Sequence, residues 1–209
     1  FDKFLGKRYQ GKKRFSLEGG ESLIPILKWM TQRAGELGTQ EIIIGMPHRG
    51  RLSVLRNYLG KDLHKIFTEF EDSWSGGDTG PSGDVKYHRG YSGDQPVTGG
   101  GLVHLSMLNN PSHLESVNGV VMGKARAKQD MLGDSDRRRV LSLMIHGDAA
   151  VAGQGVVAEC LNMSQLEGYT VGGSLHVVVN NLVGFTTDYQ DSRSTWYCTD
   201  IAKTANCPV

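Results

Sequence analysis

The chain has 209 residues, enough for one large domain or two small ones and for a substantial core, and its 23 basic and 22 acidic side chains leave a formal charge of +1 with histidines neutral. That balance argues against a nucleic-acid footprint spread over the whole chain. Hydrophobic residues make up 38% of the sequence, with no apolar run near the roughly 18 residues of a membrane-spanning helix. Cys160, Cys198 and Cys207 lack metal-ligand spacing, which argues against a disulfide framework or a zinc site and for reduced thiols.

Residues 1–20 are basic and mixed, with Lys12-Lys13-Arg14 ahead of "FSLEGG", and read as a junction segment with a solvated basic cluster. The sequence opens without Met or an apolar signal core and is expected to be one partial domain, residues 1–209, of a longer chain. A helix is predicted over 21–37: Leu23, Ile24, Leu27 and Met30 fall at helical spacing, Pro25 lies near the first turn and Gly38 closes it. "EIIIGMPHRGR" (41–51) is a β-branched run broken by Gly and Pro, followed by predicted helices over 51–59 and 63–70. "SWSGGDTGPSGD" (73–84) has loop composition, and 85–94 is a polar segment carrying His88.

"GGGLVHLSMLNNPSHLE" (99–115) is a second apolar run ending in a polar turn, where Ser112 and Glu115 stand at capping-box spacing. A helix over 117–131 with basic side chains on one face follows, then a strand over 140–146 ending in His146-Gly147-Asp148. A helix over 156–166 and a strand over 174–179 ending in Asn180-Asn181 complete the pattern.

Alternating strands and helices with β-branched strand cores predict an α/β fold, a mostly parallel sheet flanked by helices. Strands 42–45, 102–107, 140–145 and 175–179 each run into a polar cluster: "PHRG", "NNPSH", "HGDAA" and "NN". In such sheets ligands bind beyond the carboxyl ends of the strands, so these clusters are expected to share one rim. Asp148 and Asn181 lie one strand–helix–strand crossover apart. A carboxylate and an amide oxygen at neighbouring strand ends are hard ligands suited to magnesium, which leaves coordination positions to phosphate oxygens. Ala149, Ala150, Ala152, Gly153 and Gly155 would let a diphosphate approach the backbone, and the helix starting near Gly155 would present its positive end.

"GDAAVAGQGVVAECLNMSQLEGYTVGGSLHVVVNNLVGFTT" resembles the thiamine-diphosphate motif in its 2-oxoglutarate dehydrogenase form, with Gly-Asp-Ala-Ala where the general motif has Gly-Asp-Gly. "RFSLEGGESLIP", "GMPHRGRL", "GDVKYHRGYS", "NNPSHLE" and "STWYCTDIAK" resemble the same family in the family's order, nearly along the whole chain.

The resemblance implies the diphosphate-side domain of a thiamine-diphosphate-binding fold, with thiamine diphosphate and Mg2+ as cofactors. Asp148, Asn181 and the backbone carbonyl of Val183 would hold the metal, Arg49 would pair with the diphosphate, Ser112 and Leu114 would line the cofactor, and Ala149 and Ala150 would lie against it. His48, His88 and Ser92 would face the substrate, whose two carboxylates need donors at both ends. The implied activity is oxidative decarboxylation of 2-oxoglutarate with succinyl transfer to the lipoyl group of the partner dihydrolipoyl succinyltransferase. A homodimer in the bacterial cytoplasm or the mitochondrial matrix is implied too, with no nucleic-acid or membrane partner. The family's pyrimidine-side domain, with the glutamate that drives ylid formation, has no match here, so these residues alone are expected to bind cofactor weakly and turn over nothing.

Three other readings remain. One is a related decarboxylase acting on 2-oxoadipate or releasing a semialdehyde. Another is a regulatory nucleotide-binding domain, against which the lack of GxxxxGK[ST] and GxGxxG counts. The last is a non-catalytic scaffold. His104, His113 and His146 read as core or supporting residues, and Trp74, Tyr87 and Trp196 as packing or loop anchors.

Overall fold

The computed structural model describes residues 1–13, 15–71 and 87–209. The loop read at 73–84, with Trp74, and Arg14 of the basic cluster lie outside the described residues.

The triplet Ile42-Ile43-Ile44 explains the centre of the molecule. Strand β1 (Glu41–Gly45) is buried along its whole length, Ile42 and Ile44 entering one apolar cluster and Ile43 the other. Each fully buried isoleucine contributes about 1.5–3 kcal/mol, which holds β1 in the middle of the sheet. The remaining strands are β2 (Tyr91–Val97), β3 (Gly101–Met107), β4 (Val140–Gly147) and β5 (Ser174–Val179), in the spatial order β2-β3-β1-β4-β5. β3, β1, β4 and β5 are parallel, as predicted, and β2 is antiparallel to β3.

Helices cover both faces. Helices α1 (Asp2–Arg8), α2 (Leu23–Glu36), α3 (Arg51–Asn57) and α4 (Leu63–Glu71) bury Leu5, Leu27, Leu55, Ile66 and Phe70 in the larger cluster. On the other face, α5 (Val117–Met131) and α7 (Gly155–Met163) supply Val121, Ala125 and Cys160. Between β4 and α7 a short α6 (Asp148–Gly153) begins at Asp148 itself. After β5 the chain continues through a single 3-10 turn at Tyr189–Asp191 and a 3-10 helix at Cys198–Ala205.

Four features differ from the sequence reading or were not placed by it. Strand β2 falls in a stretch read only as polar. Its Gly93 and Pro96 disguise it, and Pro96 is tolerated because β2 is an edge strand. Helix α1 lies in the basic N-terminal stretch: Leu5 is buried, the Asp2 carboxylate accepts from the Leu17 N–H at 3.0 Å and Tyr9 stacks on Phe70 at 4.5 Å. Ser112 and Glu115 form no capping box. Residues 112–116 are a bend and turns, α5 starts at Val117, and Glu115 turns inward with φ +65°. The basic face of α5 is engaged rather than solvated, since Lys124 donates to Ser106 Oγ at 2.7 Å and Lys128 pairs with Glu41 at 3.1 Å. Among the described residues no helix is long and apolar enough to cross a membrane.

Candidate diphosphate and metal site

From β1 the chain crosses to β3 on one side and returns to β4 on the other, so the carboxyl end of β1 is a topological switch point. Residues following β1, β3, β4 and β5 meet at that rim. The reversed direction of β2 brings its starting residue, Tyr91, opposite Met107, the last of β3. That pairing carries His88 and Ser92 to the same rim.

Asp148, the first residue of α6, is 2% exposed. Its Oδ1 accepts from the Asn181 backbone N–H at 3.3 Å, and its Oδ2 lies 3.8 Å from Arg193 Nη1. The carboxylate sits in the first turn of its helix, where the peptide dipoles favour negative charge. Asn181 Oδ1 accepts from the Val183 N–H at 3.0 Å, a turn that forces Leu182 to φ +60°. Gly184 backs onto Ala149: a Cβ there would meet the Ala149 methyl at 3.2 Å. Asp148, Ala149, Asn181 and Val183 therefore form one contiguous group, with Ala150 in the same short helix. Over Gly147 and Gly153 a Cβ would meet nothing within 4 Å, leaving open space above the backbone.

The segment after β1 packs differently. The Phe15 ring lies 4.1 Å from His48 and 5.1 Å edge-on from Tyr87, and the Arg49 guanidinium stands 5.9 Å from its centroid. Gly50, with φ +77° and its N–H donating to Phe15 O at 2.7 Å, starts α3; a Cβ there would strike Leu17 at 2.7 Å. His88 Nε2 is 3.3 Å from Ser112 Oγ. Ser112 is exposed and Leu114 half-buried. Ser92 is exposed on β2, opposite Ser106, so it is a strand residue and not part of a loop. The structure thus joins Asp148 to Asn181 and His88 to Ser112. Arg49 and His48 share the rim and pack on Phe15.

Sequence reasoning missed Arg193 and the polar chain that joins Glu115, His146 and His176. Arg193 lies half-buried beside Asp148, and among the described residues its Nε and Nη1 find no hydrogen-bond acceptor. Glu115 and His146 are both buried, with Glu115 Oε2 2.6 Å from His146 Nδ1 and also accepting from Asn118 Nδ2. His146 Nε2 lies 2.9 Å from His176 Nδ1, and His176 Nε2 lies 2.9 Å from Ser174 Oγ. His176 is exposed as a residue, but desolvation of its imidazole against the stacked His146 ring, then the charge of His146, lowers its pKa to about 4 against the opposing pull of Glu115. His176 thus links Ser174 to His146, and His146 links on to the Glu115 carboxylate, which accepts. The cue was a histidine interrupting each apolar run, at His146 and His176. His146 lies in the core as expected, whereas His113 is exposed and His104 pairs with Asp94 at 2.7 Å near the surface. Tyr87 is a packing residue, but Trp196 is 92% exposed and anchors nothing among the described residues.

Phe15, Glu115, Leu182 and Phe185, all with positive φ, flank this rim. Such conformations cost about 1–3 kcal/mol each and persist where the surroundings over-determine them. Burial raises the thiol pKa values of Cys160 and Cys198, which keeps both protonated and poor nucleophiles.

This donor set fits a magnesium-bound diphosphate. One buried carboxylate, one amide oxygen and backbone would hold the cation. Arg193 presents buried donors without an acceptor among the described residues, a need that an anion meets. Among the described residues no three carboxylate, imidazole or thiol groups gather into a metal cluster, so the cation's remaining ligands would come from phosphate and water.

A family model described as the dehydrogenase E1 component matches residues 1–209. The 2-oxoglutarate dehydrogenase E1 component of Cupriavidus necator is 55% identical over 209 residues, covering 100% of this chain and 22% of that protein. Those of Brucella ovis and Brucella melitensis biotype 2 are 52% identical over 219 aligned residues, again with 100% and 22% coverage. The chain spans about a fifth of the length of the curated relatives it matches.

Proposed function

For a chain that belongs to the dehydrogenase E1 component family, we propose that it forms the diphosphate side of a thiamine-diphosphate site used for oxidative decarboxylation of 2-oxoglutarate. One observation carries this reading most directly. The Asp148 carboxylate and the Asn181 backbone are in contact at the carboxyl ends of adjacent parallel strands, and beside them Arg193 has Nε and Nη1 without a hydrogen-bond acceptor among the described residues.

Asp148, Asn181 and the Val183 carbonyl would hold Mg2+, and Arg49 and Arg193 would face the diphosphate. Ser112, Leu114, Ala149 and Ala150 would line the rest of the cofactor. When bound, thiamine diphosphate supplies the electron sink that decarboxylation of a 2-oxo acid needs. The chain's own residues do the remaining work. Asp148, desolvated and held by the Asn181 N–H, offers a fixed negative charge that needs no reorganisation to receive the cation. His48 and His88 bind the substrate's carboxylate and keto oxygens, and Ser92 adds a hydroxyl at the rim. Either imidazole offers a ring nitrogen that can hold or move a proton. The succinyl group would then pass to lipoyl on a dihydrolipoyl succinyltransferase, with the working subunit a homodimer.

The test is a substrate panel on the full-length subunit with Mg2+ and thiamine diphosphate: 2-oxoglutarate, 2-oxoadipate and pyruvate, followed with an artificial electron acceptor. The proposal expects 2-oxoglutarate to have the highest kcat/KM. Preference for 2-oxoadipate would move the assignment to the longer dicarboxylate, and preference for pyruvate would refute the dicarboxylate reading of His48 and His88.

A further inference from the structure

The Arg51 side chain is 0% exposed, and no carboxylate among the described residues pairs with it. Its guanidinium is solvated by three backbone carbonyls instead. Nη1 donates to Met46 O at 2.7 Å, Nε and Nη2 donate to Arg89 O at 3.2 and 2.8 Å, and Nη2 also donates to Leu108 O. Burial lowers its pKa to about 10, so it stays charged at neutral pH. Burying a cation without a counterion is costly, and this cost is offset by four charge-assisted hydrogen bonds.

The three acceptors come from three separate rim segments. Met46 opens the loop that carries His48 and Arg49, and Arg51 closes it. Arg89 follows His88. Leu108 begins the turn that leads to Ser112. Further ties converge on the His88 segment: Asn110 N–H donates to His88 O at 2.9 Å, Gly90 N–H donates to Asn109 Oδ1, and the Arg89 side chain lies 3.5 Å from Glu69. Gly90 must be glycine for this approach, because a Cβ there would meet Met107 O at 2.5 Å.

We infer that Arg51 is a positioning residue for substrate selection: it sets His88 relative to His48 from beneath the rim without touching the substrate. The inference rests on the reading of His48 and His88 as substrate-facing. Only a planar fork with separated donors reaches three carbonyls at once. A lysine ammonium in its place would reach one or two.

The test is a double-mutant cycle in the full-length subunit with Mg2+ and thiamine diphosphate, using Arg51→Lys, Arg51→Gln, His88→Ala and the combinations. Circular dichroism and cofactor titration are run on every variant. The expected result is that Arg51→Lys raises KM for 2-oxoglutarate about tenfold or more, in keeping with the sensitivity of bound geometry to small displacements. Cofactor affinity should stay within about twofold, and the KM effect should vanish in the His88→Ala background. If His88→Ala leaves KM unchanged, the substrate-facing reading itself fails. If His88→Ala raises KM but Arg51→Lys adds its full effect on top, that reading survives and the positioning role is overturned. Loss of folding in both Arg51 variants also overturns it, by making Arg51 a residue of the fold alone.

Discussion

Asp148 and Asn181, 33 residues apart in sequence, are joined by a hydrogen bond from the Asn181 N–H to Asp148 Oδ1 at 3.3 Å. The contact follows from topology. β4 and β5 are adjacent and parallel with Gly147 opposite Val179, so the residues that follow each strand emerge side by side. A carboxylate is thereby buried at the carboxyl rim of the sheet with only Arg193 near it as a counter-charge among the described residues.

Arg193 should matter twice. Without metal it neutralises Asp148, so Arg193→Met should lower the melting temperature of the metal-free full-length subunit, and Mg2+ should raise that temperature more in the variant than in the wild type. With cofactor present, the lost charged donors should weaken diphosphate binding by about 1.5–3 kcal/mol. Differential scanning calorimetry with and without Mg2+, and titration with thiamine diphosphate, read the two effects separately. Equal Mg2+ stabilisation in both proteins would contradict the neutralising role.

Glu115 fastens the turn bearing Ser112 and Leu114 to the end of β4 through His146. Glu115→Ala leaves Asn118 Nδ2 and His146 Nδ1 without their acceptor, at about 1–3 kcal/mol for each buried donor. Urea unfolding should show a lower midpoint with little change in slope. Glu115→Gln keeps one acceptor oxygen and should lose less.

The pH dependence follows from His176. Its folded pKa is about 4 against an ordinary value of 6.5. Below 6.5 the unfolded chain therefore binds more protons than the folded one, so stability is fully present above that pH. It is lost as pH falls towards 4 and levels off below. His176→Gln should flatten the melting temperature over this window relative to the wild type. An unchanged slope would show that His176 is not the titrating group.

Much of this was legible in the sequence because it rests on local pattern. The run Ile42–Ile44, the strand Ser174–Val179 and the helix Val117–Met131 follow from periodicity and turn residues, and β4 running into Gly147-Asp148 pointed to the rim. β2 was hidden because an edge strand tolerates Pro and polar residues, and its identity comes from pairing with β3. Arg51 reads in sequence as the polar start of a helix, and its burial depends on carbonyls from three distant segments. Arg193 is brought to Asp148 only by the course of the chain after β5. The Glu115–His146–His176 chain needs a positive φ at Glu115 that no spacing rule supplies.

The most direct test of the central claim is calorimetric titration of the full-length subunit with thiamine diphosphate in the presence of Mg2+, comparing wild type with Asp148→Ala. Removing the buried carboxylate should weaken binding by about 2–5 kcal/mol, roughly 30-fold or more, and the residual binding should no longer depend on Mg2+. A folded Asp148→Ala protein that binds the cofactor within about twofold of wild type, with its Mg2+ dependence intact, would contradict the account.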